Sequence, residues 1–463
     1  MKLASGLTTG AVVLLAAQVA WADPHTLQEA LMAAYSNNPT LLTERAKLRA
    51  VDEQVPQALA GWRPTVSITA APGYANGVYS SLVQGQQVNQ ADNRLILTFG
   101  PTVTQPIYRG GKTRAQTAQA ENAVRAERGR LITTEQQVFA DTVNAYVTVI
   151  QDTQLLALDV NNEQVLARQL QATNDRFRVG EITRTDVAQA EAALAGATSQ
   201  REVAEGNLQI ARATYQREVG VLPGNLLEPQ PLSAPVKTLG EAVKLAAVNN
   251  SAVVAAAFDD SSAKDAIDVA FTALMPTVNV QASAYNTVNS TVEHTTATGS
   301  QVVANFTVPL YQGGAEYAAI RAARQSEQQA RKTLDDARRQ AIQQSTQAWE
   351  TVVAARASID STRSQIRSNQ IALEGTEREA LVGSRTTLDV LNAQQALLSS
   401  QVTLVQNLAS LVTASYTLAQ AVGRLTAKDL GLPVPLYDET AYYMAVHDLW
   451  AGTGDYATDQ PGR

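Results

Sequence analysis

The chain has 463 residues, of which 45% are hydrophobic and 17% charged, with a formal net charge of −7. That balance offers no basic surface for a nucleic-acid backbone, and a mean hydropathy of −0.13 excludes a bundle of membrane helices. There is no cysteine, which removes disulfides, thiolate metal sites and a lipidated N-terminal cysteine. His25, His294 and His447 stand far apart without ligand spacing, so no metal site is expected.

Met1 to Ala22 reads as a secretory signal peptide: Lys2, an apolar stretch through Ala11–Ala17, then the small-x-small site Ala20-Trp21-Ala22. The apolar run is too short to span a bilayer. After it, Thr26-Leu27-Gln28-Glu29-Ala30 opens a helix, and Thr238-Leu239-Gly240-Glu241-Ala242 repeats that opening. The pairing continues through Asn37-Asn38 with Asn249-Asn250, and Arg63-Pro64-Thr65-Val66 with Met275-Pro276-Thr277-Val278. It resumes, at a smaller offset, from Pro106-Ile107-Tyr108-Arg109-Gly110-Gly111 with Pro309-Leu310-Tyr311-Gln312-Gly313-Gly314 to Val219-Gly220 with Val422-Gly423. The chain is thus a tandem duplication, and the first copy is expected to carry a longer loop between Val66 and Gly111. The resulting division is a signal peptide at 1–22, a first repeat at 23–220, a linker at 221–237, a second repeat at 238–423 and a C-terminal segment at 424–463.

Each repeat holds two stretches of period two, the mark of a strand with one apolar and one wet face. They are expected at about 66–79 and 93–107, and at about 277–288 and 300–310. In the first, Val66, Ile68, Ala70, Tyr74 and Val78 oppose Ser67, Thr69 and Gly73; in the second, Leu95, Leu97, Phe99, Val103 and Ile107 share a side. Val278, Val280, Ala282, Ala284 and Val288 alternate with polar residues, as do Val302, Ala304, Phe306, Val308 and Leu310. Strands of roughly ten residues suit a bilayer. The polar linkers Ser80–Ala91 and Asn289–Thr298 suit external loops. Tyr74, Phe99, Tyr108, Phe306 and Tyr311 are candidates for an interfacial aromatic belt. Tyr108 and Tyr311 are equally candidates for packing where strand gives way to helix.

After Gly110-Gly111 and Gly313-Gly314, proline-free stretches predict long helices at 111–177 and 314–381. At about 1.5 Å per residue each reaches roughly 100 Å, too long for a globular core. Lys112, Arg114, Arg125, Arg128, Arg321 and Arg324 near their starts read as a solvated face. Each long helix ends in the same turn, Phe177 to Val187 (FRVGEITRTDV) and Ala380 to Val390 (ALVGSRTTLDV). Gly180 and Gly383 suit a left-handed C-terminal residue. Thr183 with Asp186, and Thr386 with Asp389, have capping-box spacing, opening return helices at 183–218 and 386–422. From Leu430 the periodicity fades, and Gly452–Arg463 is expected to be a mobile tail.

Four strands cannot close a barrel, and open edges are not tolerated in lipid. Oligomerisation removes the problem: three copies supply about twelve strands, within the range of known barrels.

The two Pro-x-Tyr-x-Gly-Gly entries (Pro106, Tyr108, Gly110, Gly111; Pro309, Tyr311, Gly313, Gly314) and the two turns, in this order after a signal peptide, resemble the TolC family of outer-membrane channel-tunnels. The resemblance covers nearly the whole mature chain. It implies a homotrimer with a 12-stranded outer-membrane β-barrel and a periplasmic α-helical barrel. It also implies a passive exit duct for type I protein secretion or drug efflux, coupled through a periplasmic adaptor to an inner-membrane ABC or RND transporter. By the resemblance, Thr185, Asp186 and Arg385 match positions that hold the periplasmic end shut, with Arg385 pairing to Asp186 across protomers. Asp389 matches a ring of aspartates that narrows the entrance. Two departures are Ala380 in place of a linking tyrosine and Asn392 in place of a second aspartate ring. The alternative is a secreted coiled-coil adaptor whose β stretches form a small soluble sandwich. No nucleophile–base or metal constellation appears, so neither an enzyme nor a cofactor is expected.

Overall fold

The computed structural model describes residues 25–233, 236–290, 294–454 and 456. The expected signal peptide lies outside the described residues, as does the tail from Asp455 on apart from Tyr456.

The first repeat opens with three short helices, α1 (Leu27–Asn37), α2 (Pro39–Asp52) and α3 (Gln54–Leu59). Thr26 and Glu29 form a reciprocal capping box at α1, and the Asn38 side chain accepts the Thr40 N–H at the start of α2. Strands β1 (Thr65–Val83) and β2 (Gln86–Tyr108), long helix α4 (Lys112–Arg178) and return helix α5 (Arg184–Val219) follow. The second repeat runs α6 (Leu239–Asn249), α7 (Ser251–Phe271), β3 (Thr277–Val288), β4 (Thr296–Thr307), α8 (Ala315–Leu381) and α9 (Thr387–Ala421). Thr238 and Asn250 repeat the two caps. Where α7 is continuous, α2 and α3 are separate. Pro56 lacks the N–H that Asp52 would need one turn earlier, and its counterpart in the second copy is Asp268.

The strands form one antiparallel sheet in the order β1-β2-β3-β4. Register places Val66 opposite Val103, Tyr74 opposite Leu95, Val103 opposite Ala282 and Val278 opposite Phe306. The apolar halves of all four alternations therefore lie on one face. No described element covers that face: Ile68 is 68% and Val302 73% exposed. β1 and β4 are free edges among the described residues.

Three expectations are corrected here. The stretch Ser80–Ala91 is not a loop, because β1 and β2 stay paired to Val83 and Gln86 across a two-residue turn. Gln84 and Gly85 both have positive φ, 51° and 81°, which matches the twist of a tight hairpin. The extra length of the first copy therefore lies in its strands, 19 and 23 residues against 12 and 12. The fourth strand occupies Thr296–Thr307 rather than 300–310. Its start pairs with Val288, and Pro309 just beyond its end has no N–H to donate.

Helices α4 and α8 each run 67 residues and double back through α5 and α9, of 36 and 35 residues. The main core forms where α1 and α2 meet the middle of α4 and the ends of α5 and α9. Leu31, Tyr35, Phe139, Val143, Tyr146 and Tyr215 are its larger members. Away from this layer the hairpins touch through small clusters, such as Leu166, Ala197 and Leu391. Residues beyond Leu430 have no helical period until α10 (Ala441–Val446), yet they pack against α2, α3 and α4.

Candidate functional site

The two helix–turn–helix tips lie at one end of the molecule, the sheet at the other. At the first tip the chain leaves α4 through Gly180, with φ of 80°, and the Gly180 and Glu181 N–H groups donate to Phe177 and Arg176 carbonyls. The second tip repeats this with Gly383, also at 80°, and bonds from Gly383 and Ser384 to Ala380 and Glu379. Left-handed geometry there is available to glycine at little cost.

The return helices begin with full capping boxes. Asp186 Oδ2 accepts the Thr183 N–H at 2.9 Å and the Thr183 hydroxyl at 2.6 Å, while the Asp186 N–H donates back at 3.4 Å. Asp389 Oδ2 accepts from Thr386 N and Oγ1 at 2.9 and 2.8 Å, and its own N–H donates at 3.2 Å. The Thr183 hydroxyl and then its N–H hold Asp186 below the usual carboxylate range. For Asp389 the Thr386 N–H leads, followed by the hydroxyl, with Arg385 adding attraction. Both aspartates are therefore charged at neutral pH.

Arg385 does not reach for the other tip within the protomer; its Nε donates to Glu379 of its own turn at 2.9 Å. The first tip has an analogous pair, Arg176 with Glu181 at 2.8 Å. Sequence reasoning missed Glu379, whose place six residues before Arg385 across the turn was the available signal. Thr185 and Asn392 are exposed on the opening turns of α5 and α9, and Asp186 and Asp389 are half-buried. Leu391 packs with Leu166 and Ala197, so the two hairpins of one chain meet just behind the tips.

At the sheet end, Gly110, Gly111, Gly313 and Gly314 all have positive φ, from 64° to 86°. Gly111 and Gly314 precede the first residues of α4 and α8. Gly110 is packed against the layer: a Cβ there would lie 2.4 Å from Met275 Cβ. Tyr108 closes β2, and Tyr311 lies past β4 and is 78% exposed. Of the basic residues near the long-helix starts, Arg128 departs from the expected solvated role, its guanidinium stacking 5.4 Å from the Tyr443 ring centroid. Among the described residues no group of acidic or histidine side chains is placed to hold a metal ion.

The profile of the family described as "Outer membrane efflux protein" matches residues 30–220 and 242–424, which are the two repeats. This chain belongs to that family. The outer membrane efflux protein BepC of Brucella suis is 35% identical over 457 residues, covering 97% of each chain. The outer membrane protein TolC of Escherichia coli is 26% identical over 426 residues, covering 87% of this chain and 83% of its own length. Among solved structures, the CmeC outer membrane channel of Campylobacter jejuni superposes with a TM-score of 0.76 at 15% identity, covering 87% of this chain and 86% of that one.

As a family member the chain is an outer-membrane efflux channel that extends into the periplasm, and it is not an enzyme. The soluble-sandwich alternative is thereby overturned, and the exposed sheet fits this: among the described residues there is no second sheet for it to pack against. Its apolar face is the lipid face. Phe306 and Tyr108 sit at the helix-side rim, and Tyr74 sits where the face turns polar at Asn76 and Asn93. No helix among the described residues is long and apolar enough to cross a membrane.

Proposed function

We propose that the protein works as a passive homotrimeric exit duct. Three sheets close a twelve-stranded barrel, and three pairs of hairpins enclose a periplasmic passage. The observation that carries this reading is the protomer's own incompleteness: one open sheet with two free edges and an uncovered apolar face. Unpaired edges cannot persist in lipid, and a barrel has none.

In this reading the tips form the periplasmic entrance. Thr185, Asp186 and Arg385 link neighbouring hairpins there, and three copies of Asp389 set a negative ring with Asn392 one turn further in. The duct is driven from outside itself, by an inner-membrane transporter of the ABC or RND class joined through a periplasmic adaptor. The 35% identical relative is named as an efflux protein, which favours small-molecule efflux as the cargo. Type I protein secretion is the second reading, favoured by the absence of any cysteine to lipidate, as in the TolC-like branch.

Purified full-length protein in detergent, weighed by native mass spectrometry and recorded in planar bilayers, tests the duct. Three chains per particle and a cation-preferring conductance are expected; a monomer, or a trimer that conducts nothing, would overturn the proposal. Deletion strains separate the cargoes. Drug hypersusceptibility with normal protein export supports efflux, and loss of an exported protein with unchanged susceptibility supports secretion.

A further inference from the structure

The segment Leu436–Trp450, which includes the short helix α10, crosses α2, α3 and the start of α4 as a strap, held by aromatic rings laid against arginines. Tyr437 donates its N–H to the Tyr35 hydroxyl at 3.0 Å, and the buried Arg45 guanidinium lies between the Tyr35 and Tyr437 rings, 4.6 and 5.0 Å from their centroids. Tyr442 donates to Glu53 Oε1 at 2.8 Å, and Tyr443 packs over Val55, Ala120 and Val124 beneath Arg128. At the far end Arg63 donates to the Leu449 carbonyl at 2.6 Å and stacks on Trp450. Arg63 lies two residues before β1, so the strap ties the helical layer to the membrane sheet.

Beneath this strap is a carboxyl group without a partner. Asp52, the last residue of α2, is 1% exposed, and neither of its oxygens has a hydrogen-bond partner. The charged groups facing it are Arg49 from α2, Glu53 just after it, Arg128 from α4 and Glu439 from the strap, with Tyr437 and Tyr443 alongside. Arg49 Nη1 and Arg128 Nε are likewise buried without hydrogen-bond partners. An ion pair of good geometry is therefore not what covers Asp52. The strap lies beside it, with Tyr437, Glu439 and Tyr443 near the carboxyl and Tyr442 bonded to the adjacent Glu53.

We infer that the C-terminal strap is an acid-tightened clamp, whose hold on α2–α4 strengthens when Asp52 takes up a proton. Burial pushes the Asp52 carboxyl up from 3.8 to about 7, against the opposing pull of Arg128 and Arg49 and with Glu53 and Glu439 raising it further. Because the docked state has the raised value, docking is strongest at low pH and its advantage is lost as pH rises through about 7. Between pH 7 and pH 5 the docking constant rises roughly fifty-fold, and above pH 8 it is flat.

Hydrogen exchange on the full-length protein in detergent reads this directly. Protection of amides in the 436–450 peptides, corrected for intrinsic exchange, is followed from pH 5 to pH 8. Wild type is expected to gain roughly fifty-fold protection from pH 7 to pH 5, and Asp52→Asn to show protection independent of pH. Arg63→Ala, which loosens the strap without touching Asp52, should lower protection at every pH and keep the slope. Flat wild-type protection, or a slope that survives in Asp52→Asn, overturns the inference. If Asp52→Asn does not fold, a slope absent from Arg63→Ala does the same.

Discussion

Replacing Gly110 by alanine should destabilise the junction between sheet and long helix far more than the same change at Gly111. Gly110 has φ of 64°, and a Cβ there would stand 2.4 Å from Met275 Cβ and 3.3 Å from the Thr272 carbonyl oxygen. Carbon atoms pack best at about 3.5–4.0 Å. Met275 Cβ is fixed to its backbone, so the two repeats must move apart. Left-handed geometry costs an L-residue about 1–2 kcal/mol, and overpacking adds about 1–3 kcal/mol. The sum is about 2–5 kcal/mol per protomer. At Gly111 φ is 84° but a Cβ meets nothing within 4 Å, leaving only the backbone cost of about 1–2 kcal/mol. Thermal unfolding of the purified oligomer, followed by circular dichroism, compares the two. Gly110→Ala should melt well below Gly111→Ala, with Gly313→Ala and Gly314→Ala grouping with the milder variant because their sites are also open. If Gly110→Ala melts together with Gly111→Ala, the contact with Met275 carries no weight and the packing argument fails.

Asp389→Asn removes the entrance charge while keeping an oxygen for the Thr386 N–H, so the reversal potential should shift toward a non-selective pore and block by multivalent cations should weaken. An unchanged reversal potential would leave Asp389 as a helix cap only. Because Asp389 is held below its ordinary range, wild-type cation preference should stay level from pH 8 down to about pH 5; a fall within that window contradicts the assignment. Arg385→Ser should raise single-channel conductance if Arg385 links neighbouring hairpins, and should leave it unaltered if Glu379 is its only partner. Tyr146 is fully buried, and its hydroxyl lies 2.8 and 2.7 Å from the His25 and Leu227 carbonyls. Tyr146→Phe should cost about 1–2 kcal/mol in denaturant unfolding, and no measurable change would mean that those carbonyls are served otherwise.

How much of this was legible depended on whether a segment's surroundings left a period in it. The helix tips were readable because capping is local: Thr183 with Asp186 and Thr386 with Asp389 need only their own backbone. The apolar strand faces were readable because lipid imposes alternation. Past Val78 the alternation fades: Ser80 bonds Asn89 there, although the pairing continues. The Gln84-Gly85 turn was the remaining signal. The strap was illegible for a related reason. Tyr437, Tyr442, Tyr443 and Trp450 have no common spacing, because their partners are scattered over a distant part of the chain: Arg45 in α2, Glu53 between α2 and α3, Arg63 just before β1 and Arg128 in α4.

The duplication makes that last feature intelligible. Two copies of one unit share caps, strands and tips, but the chain has a single C-terminus, and only one copy can receive it. The receiving positions have diverged accordingly. Tyr35, Arg45, Arg49 and Asp52 in the first copy correspond to Ala247, Ala257, Ser261 and Lys264 in the second, and Glu135, which accepts the Ala427 N–H at 2.7 Å, corresponds to Arg338. The second copy thus has neither the aromatic ring and arginine that grip the strap nor the carboxyl beneath it. At the matching places in the tips the copies remain alike, with glycine, threonine and aspartate in register. The tips, which need only their own backbone for their caps, stay alike in the two copies, whereas the one C-terminal segment goes with asymmetry in the helical layer it packs on. Grafting the first copy's four residues onto the second would therefore create a second receptor with nothing to fill it. The C-terminal segment, held at Ala427 by Glu135 and at Leu449 by Arg63 of the first copy, cannot serve both.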